Sequence, residues 1–117
     1  MLTLWFNENC SKSKKAKEIL INNNVEFVTK NYLTDKITYE EVSFLFRHCV
    51  DDLSLLIRTD SGLTINEINQ LSVIDMMEYI LKTPLALQRP LIVTTNKVYI
   101  ARTEEIIIDI IKDIEIV

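Results

Sequence analysis

Leu2-Thr3-Leu4-Trp5-Phe6-Asn7-Glu8-Asn9-Cys10-Ser11-Lys12-Ser13 is the stretch on which the fold turns. Leu2–Phe6 is a short apolar run of the kind that makes a buried strand. Ser11–Asn23 follows with Ala16, Ile19 and Leu20 on one face and lysines on the others, the pattern of an amphipathic helix. Asn22-Asn23-Asn24 stops it, because short amides favour helix ends and turns. Val25–Leu33 then reads as a second strand with aromatic and β-branched residues. A strand, a helix and a strand in this order form a βαβ unit, whose two strands should be parallel.

Outward from that unit, Thr38–Cys49 is predicted as a helix opened by a capping box. Thr38 caps it, Glu41 lies three residues on, and Val42, Leu45 and Phe46 form its buried face. Asp52–Ile57 is a shorter helical turn, and Asp60-Ser61-Gly62 is a turn. Ser72–Lys82 is a helix opened by Ser72 and Asp75 and ended by Pro84. Leu91–Thr94 and Val98–Ala101 flank Thr95-Asn96-Lys97 as a hairpin. Thr103–Ile114 closes the chain as a helix with Glu104 and Glu105 at the positive end of its dipole. The expected architecture is α/β, a mixed four-stranded sheet of glutaredoxin/thioredoxin-like type with an inserted helical segment. One domain spans 1–117, with sheet elements over about 1–34 and 84–117 and the insertion over about 38–83.

The 117 residues suit one domain, and 48% hydrophobic with 26% charged residues suits a folded soluble chain. A net charge of −4 argues against general nucleic-acid binding. No apolar run approaches the roughly 20 residues that span a bilayer. The apolar tail Ile106–Val117 is interrupted by Asp109, Lys112, Asp113 and Glu115. No basic region precedes Leu2–Phe6, so no signal peptide is read and a cytoplasmic location is expected. One histidine and two distant cysteines offer no ligand cluster for a structural metal site.

Cys10 stands where the first strand hands over to the first helix. There a thiol faces unpaired backbone N–H groups and the positive end of the helix dipole, and its pKa can fall to about 3.5–7.5. Position alone leaves two readings open, a reactive thiol or a small buried packing residue. Ser13, at CxxS spacing, can offer the sulfur a hydroxyl but cannot form a disulfide with it. Lys12, Lys14, Lys15 and Lys17 oppose the dipole; they form either an electropositive mouth or a plain solvated face. The chain has four arginines against nine lysines. Arg58, Arg89 and Arg102 each fall at an element end, where they could converge near Cys10. Guanidinium groups bind tetrahedral oxyanions through paired planar hydrogen bonds, although three surface arginines with local carboxylate partners would give the same pattern. Pro90 opens a strand that looks central, which predicts a first-position proline or a cis Arg89–Pro90 bond. His48 and Cys49 are adjacent on a helix and point apart, so Cys49 is read as a packing residue and His48 as a surface one.

Four stretches together resemble the ArsC-type, glutaredoxin-dependent arsenate reductases over nearly the whole chain: Asn7-Glu8-Asn9-Cys10-Ser11-Lys12-Ser13, Leu56-Ile57-Arg58-Thr59, Gln88-Arg89-Pro90-Leu91-Ile92-Val93 and Ala101-Arg102-Thr103-Glu104-Glu105. The Cys-Ser-Lys-Ser form looks like the YfgD-type branch. The resemblance implies that Cys10 attacks arsenate as a thiolate, that glutathione adds next as co-substrate, and that a glutaredoxin resolves the adduct and releases arsenite. It gives Arg58, Arg89 and Arg102 the oxyanion, and Asn7, Ser11 and Ser13 the support of the thiolate. No tightly bound cofactor, no metal, no nucleic-acid or membrane partner, and a monomer are expected.

Two departures stand out. The family often has His-Asn-Pro before the cysteine, whereas this chain has Phe6-Asn7-Glu8; both changes should raise the pKa of Cys10. The segment between Arg58 and Ser72 is also shorter than the family pattern. The same family includes Spx-type regulators, which share the fold, bind RNA polymerase and typically carry a CxxC redox switch. Ser13 in place of a second cysteine argues against that switch, and the three arginines argue for an oxyanion site. A glutathione-dependent thiol oxidoreductase with another substrate is the third reading.

Overall fold

A computed structural model describes residues 2–115; Ile116 and Val117, the end of the apolar tail, lie outside the described residues. The order is β1 (Leu2–Phe6), α1 (Ser11–Asn22), β2 (Phe27–Asn31), α2 (Tyr39–His48), a 3-10 turn (Leu53–Leu56), α3 (Ile65–Gln70), α4 (Val73–Lys82), a 3-10 turn (Pro84–Ala86), β3 (Leu91–Val93), β4 (Val98–Ile100) and α5 (Glu104–Glu115). The four strands form one mixed sheet in the order β2-β1-β3-β4. β1 runs parallel to β2 and antiparallel to β3, and β3 pairs antiparallel with β4.

Alternation along β1 separates two cores, because successive side chains leave a strand on opposite faces. Leu2 and Leu4 pack with Ala16, Ile19 and Leu20 of α1 and with Ile107, Ile110 and Ile111 of α5. Trp5 faces the other way, into a cluster with Val42, Leu45 and Phe46 of α2 and Met76, Met77 and Ile80 of α4. The sheet is therefore covered on both faces, which is why β3 reads as an unbroken apolar run.

Helix ends follow from local chemistry. Thr38 and Glu41 form the predicted capping box, and the Ser72 hydroxyl accepts the Asp75 N–H. α1 ends in a Schellman arrangement: Asn24 takes a left-handed backbone (φ 58°), the Val25 N–H donates to Leu20 O and the Asn24 N–H to Ile21 O. β2 is shorter than the expected Val25–Leu33: Val25 is taken up by the end of α1, and at the other end Asn31 turns the chain. Its side-chain oxygen accepts the Leu33 N–H and its carbonyl accepts from Thr34 and Asp35. α3 has no counterpart among the elements expected from the sequence. Thr64 and Glu67 form a second capping box there, and Ile68 anchors the helix in the core.

Candidate active site

All four strands deliver a residue to one edge of the sheet. β1 ends at Phe6, opposite Asn31 of β2, so the loop to Cys10 and the residue Tyr32 leave the sheet side by side. β3 begins at Leu91, opposite Trp5 and Ile100, so Arg89–Pro90 enters and Arg102 leaves at that same edge. This convergence is a product of topology rather than of sequence proximity.

The Cys10 loop is built by short-range hydrogen bonds. The Asn7 side-chain oxygen accepts the Asn9 N–H at 2.9 Å, and the Asn7 carbonyl accepts the Cys10 N–H at 2.9 Å. The Ser13 hydroxyl, fully buried, accepts the Asn7 N–H at 3.2 Å. Asn7 thus shapes the loop. Cys10 itself is the N-cap residue of α1, half-buried and unpaired with Cys49.

Burial pushes the Cys10 thiol up, but the opposing contacts win. The backbone N–H of Ser13, the Arg89 guanidinium, the Ser13 hydroxyl and the backbone N–H of Lys12 bring its pKa down to about 7. No formal capping hydrogen bond reaches the sulfur. The two amides still favour the anion, because they lie at the positive end of the helix. A pKa of about 7 leaves a substantial thiolate fraction at neutral pH.

The expectation that Glu8 raises this pKa is corrected. Glu8 is exposed and is not among the groups acting on the thiol, while Phe6 turns into the core beneath α1, with Lys17 Nζ at 5.9 Å from its ring. Ser11 also departs from its assigned role. It begins α1 on the exposed side, and the amides of the next two residues act on the sulfur instead.

The arginines differ from one another. Arg89 lowers the Cys10 pKa through its guanidinium, which donates to Leu85 O at 3.3 Å. Its bond to Pro90 is cis. Arg58 is held by a bridge between two chain segments: its N–H donates to Ala86 O and the Gln88 N–H donates to Leu56 O, both at 2.8 Å. That bridge ties the Arg58 segment to the chain leading into Arg89. The Arg58 side chain pairs with Asp60 at 2.6 Å and remains partly exposed. Arg102 donates to the Arg89 carbonyl at 2.6 Å, and its own carbonyl accepts from Lys12 Nζ at 3.5 Å. It therefore braces the Arg89 backbone at the rim of the site.

Tyr32 belongs to this edge although the sequence reading gave it only to a strand. It is 1% exposed, and its ring stacks on Trp5 with centroids 6.5 Å apart. Burial raises its pKa above the ordinary tyrosine range. Arg89 and Arg58 pull it back, and the Cys10 anion pushes it further up. No single sequence position signals this placement.

Cys49 lies elsewhere. It ends α2 half-buried beside the α2–α4 core, bridges to Val98, and has a pKa raised by burial and by Asp51 and Asp52. His48 packs its ring on Phe44 at 4.4 Å. A cavity of about 810 Å³ opens at the opposite edge of the sheet, near Leu2, Val25, Lys97 and Tyr99, and takes in none of the expected site residues. Among the described residues no group of three His, Cys, Asp or Glu side chains could hold a metal ion, and no helix is long and apolar enough to cross a membrane.

A cysteine capping the first helix, on a sheet of this order, defines an α/β protein of glutaredoxin/thioredoxin-like fold. The chain belongs to the ArsC family, whose model matches residues 5–110. Among solved structures it is similar to an arsenate reductase from Vibrio cholerae, with a TM-score of 0.79 and 23% identity, covering 93% of this chain and 96% of that one. An arsenate reductase (ArsC) related protein from Brucella melitensis gives a TM-score of 0.68 at 16% identity, covering 85% and 84%. By sequence it is 28% identical over 109 residues to the global transcriptional regulator Spx 2 of Bacillus anthracis, covering 90% of this chain and 82% of that protein.

Proposed function

We propose that the protein is a monothiol oxyanion reductase, with arsenate as substrate and glutathione and a glutaredoxin as the external thiols. The observation that carries this reading is the Arg89 guanidinium set against a Cys10 thiol whose pKa is about 7. A thiolate attacking an oxyanion brings two negative charges together. Arg89 and Arg58 offset that repulsion and hold the oxyanion in line for attack. Cys10 needs no dedicated general base, since the helix start and Arg89 already favour its ionised form.

Attack of the Cys10 sulfur on arsenic expels one oxygen, which leaves as water after protonation. Glutathione then adds to the adduct. The two electrons that take As(V) to As(III) come from two thiols, which end as a disulfide that glutaredoxin turns over. Ser13 cannot supply a second thiol, so the resolving thiol is external. Purified protein should reduce arsenate only when both glutathione and glutaredoxin are present, and Cys10→Ser should bring turnover to background. Turnover by Cys10→Ser equal to that of the unaltered protein would end this reading.

A second reading is favoured by the relatives named as Spx regulators: a redox-responsive protein that acts by binding RNA polymerase. The absence of a CxxC pair weighs against a disulfide switch. Saturable binding to purified RNA polymerase, with no arsenate turnover, would replace the enzymatic reading with this one.

A further inference from the structure

Tyr32 carries a buried hydroxyl whose proton the fold leaves without an acceptor. No group among the described residues meets strict hydrogen-bond geometry with it; the Arg89 guanidinium acts on it as a donor, which leaves the phenol's own proton unpaired. Buried hydroxyls are normally satisfied, so an orphan of this kind calls for an explanation. Three features place it. The Asn31–Phe6 register brings Tyr32 to the sheet edge that carries the Cys10 loop. The ring is fixed by Trp5, which is itself covered by Lys30 Nζ at 5.4 Å, and Lys30 is tied to Glu41 at 2.7 Å. The charged groups that the phenol senses are Arg89, Cys10 and Arg58, which are the components of the candidate site.

We propose that the Tyr32 hydroxyl donates a hydrogen bond to an oxygen of the tetrahedral oxyanion held between Cys10 and the Arg58 and Arg89 guanidinium groups. This inference rests on the oxyanion-reductase reading and deepens it. The sulfur is not the phenol's partner, because the groups that stabilise the Cys10 thiolate are Ser13, Arg89 and Lys12. Burial keeps the phenol protonated, so it remains a neutral donor beside a thiolate and adds no repulsion. Arginines supply charge to the anion from one side. The phenol supplies a direction, held rigid by the Trp5 stack, and requires a ligand with an oxygen acceptor. It is a substrate-contacting residue in this account.

Tyr32→Phe removes only the hydroxyl and keeps the ring. The probe is inorganic arsenate without glutathione, read as protection of Cys10 against iodoacetamide; Cys49→Ser serves as the common background. Arsenate should protect the Tyr32-containing protein, and Tyr32→Phe should raise the arsenate concentration giving half-protection about tenfold, the range of one hydrogen bond to a charged group. The Cys10 labelling midpoint without arsenate should not move, and thermal stability should stay level or rise, because an unsatisfied buried hydroxyl has been removed. Equal protection in the two proteins would overturn the role of Tyr32 and leave the oxyanion reading standing. An upward shift of the arsenate-free midpoint would overturn it too, since the hydroxyl would then serve the sulfur. A loss of several degrees in Tm would assign it a structural partner instead. No protection in either protein would remove the oxyanion reading and this inference together.

Discussion

Cys10 and Cys49 each stand at a helix end, but at opposite ends. Cys10 caps the N-terminus of α1, where backbone N–H groups point outward; Cys49 caps the C-terminus of α2, where carbonyls do. Burial raises both thiols. At Cys10 the Ser13 and Lys12 amides and the Arg89 guanidinium outweigh it and bring the pKa to about 7. At Cys49 one backbone contact from Asp51 is opposed by the charges of Asp51 and Asp52, and the pKa stays raised. Two half-buried thiols thus acquire pKa shifts of opposite sign from the polarity of the helix end and the sign of the nearest charge. Reactivity is a property of placement here, and the comparison can be broken or sharpened by changing one contributor at a time.

The largest effect should come from removing the sulfur itself. Cys10→Ser should abolish arsenate turnover, while Cys49→Ser should leave it nearly intact; steady-state assays with glutathione and glutaredoxin check both. Next comes the guanidinium. Arg89→Ala should move the Cys10 pKa up from about 7 toward the ordinary 8.5 or so. Because the thiolate is the reactive form, reactivity near pH 7 should fall and should recover as pH rises. Arg58→Ala should lower kcat/KM by roughly ten- to a hundredfold, the range expected for a lost charge-assisted contact. Its Tm should change far less, because the side chain is partly exposed and its ion pair is with the exposed Asp60.

Ser13→Ala should act on both folding and chemistry. It removes the acceptor for the Asn7 N–H, costing about 1 kcal/mol by denaturant unfolding. It also removes one of the groups that lower the Cys10 pKa, so the labelling midpoint should rise. The smallest effect belongs to the far end of the Cys49 helix. Thr38→Ala breaks the α2 capping box and should cost about 1 kcal/mol of stability with no change in Cys10 labelling. A change in Cys10 reactivity there would mean that the two regions are coupled.

These contrasts also mark what the sequence could reveal. β1, α1, the Thr38 box and the closing hairpin and helix were legible because hydrophobic period, capping residues and turn chemistry are local. Cys10 at a helix start was legible for the same reason. α3 was missed although Thr64 and Glu67 repeat the Thr38–Glu41 pattern, because a helix with one buried residue, Ile68, has almost no apolar period to read. The truncation of β2 at Asn31 depended on a side-chain turn that competes with strand propensity. The site itself was legible only in part. Arg58, Arg89 and Arg102 could be named, but their different attachments to Asp60, Leu85 and the Arg89 carbonyl are tertiary facts. The influence expected of Glu8 failed because sequence adjacency does not say that an exposed side chain will act on its neighbour's thiol.

The most direct test of the account is iodoacetamide labelling of each cysteine across a pH series, with the other replaced by serine. Thiolate, and hence labelling, increases as pH rises through each pKa. The account predicts a midpoint near pH 7 for Cys10 and one above the ordinary thiol range for Cys49. Coincident midpoints, or a Cys10 midpoint at 8.5 or above, would contradict the claim that the α1 N-terminus and Arg89 activate this thiol.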